Sequence, residues 1–139
     1  MRLGSMAVGF ILLVASSMAL AAQTPDVSGT WQSDSNASVK WVLEQKDGKI
    51  HVQEMNGEKV ETDFTCSLSG TECAVKEGGN SEKMMMYFNG PKLVEIRERG
   101  SDTLKRRLSV SDDGKKLTVE TVPLSALDKS ETESFHRQG

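Results

Sequence analysis

Turn signals recur along this chain with a regularity that leaves little room for helices. They stand at Asp47-Gly48, Asn56-Gly57, Ser69-Gly70, Gly78-Gly79-Asn80, Asn89-Gly90-Pro91, Gly100-Ser101-Asp102 and Asp112-Asp113-Gly114. Segments of about seven to nine residues separate them, the spacing of an antiparallel barrel or sandwich. Asp-Gly and Asn-Gly favour the tight turns whose twist matches paired strands. Helical patterning is confined to the short PLSALDK at 123–129. The chain is predicted to be all-β, a single up-and-down antiparallel meander of about eight to ten short strands closed into a barrel.

Alternation within the segments supports this reading. SVKWVLEQ sets Val39, Trp41 and Leu43 on one face, and KVETDFTC sets Val60, Thr62, Phe64 and Cys66 together. LKRRLSV places Leu104, Leu108 and Val110 on one side with Arg106 among them, and KLTVETV pairs Leu117 with Val119. Period-two patterning of this kind marks half-buried strands. Aromatic residues make up only 5% of the chain, so Val, Leu, Ile and Met must fill most of the core.

The first 22 residues stand apart from the fold. Arg2 supplies a positive end, Met6 to Ala15 form an apolar run, and SSMALAA follows with small residues at a cleavage site after Ala21 or Ala22. This is the anatomy of a secretory signal peptide, which would be helical before removal. The run is shorter than the roughly 18 residues needed to span a bilayer, and no cysteine at the cleavage site offers a lipid anchor. Residues 23–139 are then one exported domain, secreted or periplasmic, with no membrane span and expected to be a monomer. The whole chain carries 17 basic and 20 acidic residues, a formal net charge of −3. That balance gives no support for nucleic acid as a partner.

Export places Cys66 and Cys73 where disulfides persist. The intervening SLSGTE contains a Ser-Gly turn, so the pair is expected to bridge the two sides of a hairpin tip. A metal site would want about four ligands, and His51 and His136 are the only histidines. No metal and no cofactor are expected.

The stretch VSGTWQSD and the end of the chain now make sense together. Gly29-Thr30-Trp31 at the start of the domain, the meander, and Phe135-His136-Arg137 at its end resemble the calycin superfamily, in particular small secreted bacterial lipocalin-like proteins. The resemblance implies that Gly29 and Trp31 open the first strand and that Arg137 of the last strand packs across the indole. A guanidinium can lie on an aromatic face in this way. GTWQSDSNAS is also similar to the start of avidin-type biotin binders. Those line their pocket with later tryptophans, whereas this chain has only Trp31 and Trp41.

Candidate ligand-contacting residues are Met84, Met86 and Phe88, which alternate on one strand, and Val60 and Phe64 on another. Methionine conforms to irregular shapes, yet the same residues serve as simple core filling. Arg97, Arg99, Lys105, Arg106 and Arg107 with the interleaved Glu95 and Glu98 offer either an anion site for a carboxylate or phosphate or, the reading preferred here, cross-strand pairing on a solvated face. Arg106 is the exception, because it shares a face with Leu104 and Leu108. Neither histidine sits in a catalytic motif, so no catalytic residue is assigned and the chain reads as a non-enzyme. Two functions remain. One is a binder of a small, apolar ligand in the barrel. The other is a periplasmic protein-interaction or inhibitor-type barrel using residues 22–27 as an arm, with its protein partner unknown.

Overall fold

The computed structural model describes residues 24–77 and 79–139; the leader at 1–22 lies outside them. Ten strands follow one another: β1 (Gly29–Ser33), β2 (Val39–Lys46), β3 (Lys49–Asn56), β4 (Lys59–Ser67), β5 (Cys73–Glu77), β6 (Asn80–Asn89), β7 (Lys92–Arg99), β8 (Asp102–Val110), β9 (Lys116–Pro123) and β10 (Glu131–Arg137). The helical signal at 123–129 is reduced to a single 3-10 turn, Leu127–Lys129. Turn chemistry sets the meander. Asp47 and Gly48 both take positive φ, 53° and 72°, which lets β2 and β3 reverse in two residues.

All ten strands belong to one antiparallel sheet in the order β4-β3-β2-β1-β10-β9-β8-β7-β6-β5. The first and last strands therefore pair in the middle of the sheet, with Trp31 opposite Arg137 and Ser33 opposite Phe135. A fully closed barrel would have no edge. Instead the edges are moved to β4 and β5, which are neighbours in the chain and share no ladder. The hairpin expected around SLSGTE is thus replaced by a seam. A disulfide between Cys66 and Cys73 crosses it, and Gly70 N donates to Met86 O at 3.0 Å beside it. The barrel is nearly closed, and a covalent link stands where a ladder would be.

The core runs through the inward-facing residues. Trp31, Leu43, Ile50, Val52, Phe64, Cys66, Met84, Met86, Leu93, Leu108, Leu117, Val119 and Phe135 pack as one cluster. Trp41 stacks obliquely on Phe135, ring centres 5.1 Å apart. The segment before β1 is docked on this core rather than forming a free arm. Val27 is buried, its N–H donates to Gln45 Oε1 at 3.1 Å, and its carbonyl accepts from Trp31 Nε1 at 3.0 Å.

Gly29 shows why the opening motif needs a glycine. Its φ is +150°, and a Cβ there would lie 2.3 Å from Arg137 Nη1. Arg137 occupies that space while donating to Ser28 O at 2.6 Å and Gly114 O at 2.8 Å. The charge is held by carbonyls on two sides and by the Trp31 ring beneath.

Candidate functional site

Because the strands run up and down, the inward residues stack in layers, and the layers differ chemically. At the end carrying the 47–48, 90–91 and 112–114 turns, the interior holds Trp31, Ile50, Cys66, Leu93 and Leu117, all buried. At the opposite end, inward positions carry Glu54, Glu82, Glu95, Arg97, Arg106 and Glu133. The interior thus has an apolar floor and an ionic mouth.

Ladder register brings the charged residues together. Glu95 lies opposite Arg106 across β7 and β8, and Arg97 lies opposite Met84 across β6 and β7. Arg97, only 2% exposed, sits 3.2 Å from Glu95 and 3.6 Å from Glu82. Arg99 at the rim donates to the same Glu82 at 2.8 Å. Arg106 donates to Glu54 at 2.6 Å and lies 3.6 Å from Glu95. Glu133 accepts from Ser33 Oγ at 2.6 Å. Two of the guanidiniums also lie over rings, Arg106 over Trp41 at 5.3 Å and Arg97 over Phe64 at 6.0 Å.

Burial pushes the Glu95 carboxyl above its ordinary value, against the pull of Arg106 and Arg97. Glu95 Oε1 and Glu82 Oε2 are buried and meet Arg97 as ion pairs, at 3.2 and 3.6 Å, rather than through hydrogen bonds. Two hollows open at this end. One, of about 560 Å³, is bounded by Asn80, Ser81, Glu82 and Arg99. The other, of about 520 Å³, is bounded by Ser35, Val39, Glu131 and Glu133. A third of about 650 Å³ lies at the floor end against Asp26, Asp47, Leu68 and Phe88. It has no contact with the ionic cluster.

The structure separates the residues expected to line a pocket. Met84, Met86 and Phe64 are in the packed cluster, and Phe88 packs against it at the floor end. Val60 was expected to face inward but is 44% exposed. The β3–β4 ladder slips at Glu54/Met55, so Val60 pairs with Met55 beyond the bulge, at the turn. Arg106 does point into the barrel. Arg97 is the larger correction: the basic cluster was read as solvated, and Arg97 is among the most buried side chains. β7 reads LVEIR, where Val94 and Ile96 compete with Glu95 and Arg97 for the inner face. Hairpin register from the Gly100 turn decides it, because Arg106 brings its partner Glu95 inward with it. Arg107 keeps the expected outer position, paired with Glu120 at 2.8 Å.

Both histidines lie on the outside. His51 is paired with Asp63 at 2.5 Å and His136 with Asp34 at 2.7 Å. No group of three His, Cys, Asp or Glu residues among those described could hold a metal ion. No helix among them is long and apolar enough to cross a membrane.

No protein-family model matches this chain, and no curated protein matches it. Solved structures do. Wild-type fluorescent protein UnaG superposes with a TM-score of 0.64 at 19% identity, over 80% of this chain and 96% of that one. A mutant of the same protein gives 0.61 at 20% identity, over 81% and 96%. This chain shares the up-and-down barrel fold of that protein. At this identity the likeness is one of fold.

Proposed function

We propose that residues 23–139 are an exported binding protein, not an enzyme, that holds a small molecule with an apolar body in the mouth of its barrel. Residues 1–22 are its export leader. The observation that carries the reading is the division of the interior into a packed floor and a charged, partly open mouth. A core built only for stability gains little from buried ion pairs, since apolar replacements of similar volume are often as stable or more so. Trp41, Phe64 and Val52 are buried against the ionic cluster, and hollows beside Glu82 and Glu133 open at the same end. The likeness in fold to the barrel of a fluorescent protein is in keeping with the same reading. The Cys66–Cys73 bridge supports export, because such bonds persist in oxidising compartments.

The inhibitor-type alternative draws support from the packed floor, but its arm is anchored through buried Val27. Native mass spectrometry of protein purified from its own host separates the two. A retained mass of a few hundred daltons that is lost on denaturation is expected. A ligand-free chain recovered in complex with another protein would replace this reading with the second.

A further inference from the structure

The connection between β1 and β2, residues 34–38, reads DSNAS and is exposed throughout. Asn36-Ala37-Ser38 is an Asn-x-Ser triplet with a residue other than proline in the middle, the acceptor pattern for N-linked glycans on surface loops of exported chains. Of the four asparagines, Asn36, Asn56, Asn80 and Asn89, Asn36 alone has a Ser or Thr two residues on. Local geometry presents this side chain in a defined form. Asn36 Oδ1 accepts from the N–H of Ser38 at 3.0 Å, an Asx-turn. The backbone of Asn36 is fixed on both sides: its N–H donates to Ser33 Oγ at 3.2 Å, and its carbonyl accepts from Val39 N–H at 3.0 Å. Ser38 enters the turn through its backbone, donating its N–H to Asn36 and accepting from Gly57 N–H at 2.7 Å. Proline at position 37 would fix φ and restrict the residue before it; Ala37 does neither. Asn36 also borders the hollow of about 520 Å³ beside Glu131 and Glu133, so a bulky group attached to it has room.

Resting on the export proposed above, we infer that Asn36 is a glycosylation acceptor, which takes an N-linked glycan from a lipid pyrophosphate-linked oligosaccharide through a membrane oligosaccharyltransferase of the export pathway. In that transfer Asn36 Nδ2 forms a bond to the anomeric carbon of the first sugar. The bond from that carbon to the pyrophosphate oxygen breaks, and the proton given up by the amide balances the charge of the departing lipid pyrophosphate. The Ser38 hydroxyl is the second recognition element of the triplet. The glycan stands on an exposed connection at the rim of the mouth, where it leaves the packed cluster of the barrel undisturbed.

The test is peptide mapping by mass spectrometry of the full chain purified from its own host, with Asn36→Gln, Ser38→Ala and Ser38→Thr made alongside. The peptide containing Asn36 should carry a mass increase equal to a whole number of sugar residues. The increase is covalent and survives denaturation, which a ligand retained in the barrel does not. It should be lost in Asn36→Gln and Ser38→Ala and kept in Ser38→Thr. Ser38→Ala leaves the backbone bonds of the turn in place, so a native circular dichroism spectrum for that variant separates a lost acceptor from a lost fold. An unmodified Asn36 peptide in a chain that begins at Ala22 or Gln23 and holds its Cys66–Cys73 bridge overturns the acceptor role and leaves export standing. An increase that persists in Asn36→Gln, or in Ser38→Ala, overturns the acceptor role as well. A chain that keeps its leader and stays in the cytoplasm overturns export and the acceptor role together.

Discussion

The guanidinium of Arg137 lies 4.3 Å from the centre of the Trp31 ring, and the two residues are ladder partners in β1 and β10. The contact joins the two ends of the domain over the floor of the barrel. Trp31 is fully buried, so Trp31→Ala should cost about 3–5 kcal/mol. Arg137→Ala should cost about 1 kcal/mol, since its charge is partly solvated. Touching residues couple, so urea denaturation of the double variant should show a non-additive cost. Strict additivity would mean that the contact does not contribute.

Breaking the seam should be felt locally. Cys66 and Cys73 close a loop of seven residues' separation, for which chain entropy suggests about 2.5 kcal/mol. Reduction, or Cys66→Ser with Cys73→Ser, should lower stability by that order. Hydrogen exchange should rise first in β5, whose only ladder is to β6. Uniform acceleration across all strands would show that the bond holds the whole barrel rather than its seam.

How far all this was legible depends on what each residue answers to. Strand number and order follow from Gly turns and local alternation, so a meander of about eight to ten short strands could be read in advance, and ten are present among the described residues. The β1–β2 connection lacked a Gly signal, because it is built from side chains: Ser33 Oγ accepts from the N–H groups of Ser35 and Asn36. The ionic mouth was harder. Charged residues usually face water, and the pattern at 93–97 fits either face. Only pairing across the hairpin, Glu95 with Arg106, resolves it, and pairing is a property of two strands. The open seam was not legible at all, since Cys66 and Cys73 satisfy a hairpin and a seam equally well.

Removing Arg97 should leave Glu82 and Glu95 buried without their shared cation. Arg97→Met is expected to cost about 3–5 kcal/mol. Adding Glu95→Gln should recover part of that loss, because the uncompensated charge is then removed. Thermal melts of the two variants check this. A double variant less stable than Arg97→Met alone would contradict the pairing.

The pH dependence carries two opposite signs. Burial raises Glu95 above 4.5, so the native state holds this proton more tightly than the unfolded chain. Its ionisation therefore costs stability as pH rises from the ordinary value through the raised one. The stability of wild type relative to Glu95→Gln should fall over that window. Asp63 is lowered below 3.8 by hydrogen bonds from Gln53 and then His51. Its contribution is present above that value and lost as pH falls through the depressed one, so Asp63→Asn should show its deficit only above that range. Urea titrations across pH check both; a Glu95→Gln difference that grows in favour of wild type with rising pH would refute the first.

The two tryptophans offer the most direct test of a structural floor below a binding mouth. Trp31 donates its indole N–H to Val27 O on the floor side, and Trp41, its ladder partner, lies under Arg106 on the mouth side. With only two tryptophans in the chain, their indole signals in a 1H–15N spectrum are separately assignable through Trp31→Phe. Titration with 1-naphthylmethanol should move the Trp41 indole signal saturably and by more than that of its ladder partner Trp31. Movement of Trp31 with Trp41 unchanged would place binding at the floor and contradict the account.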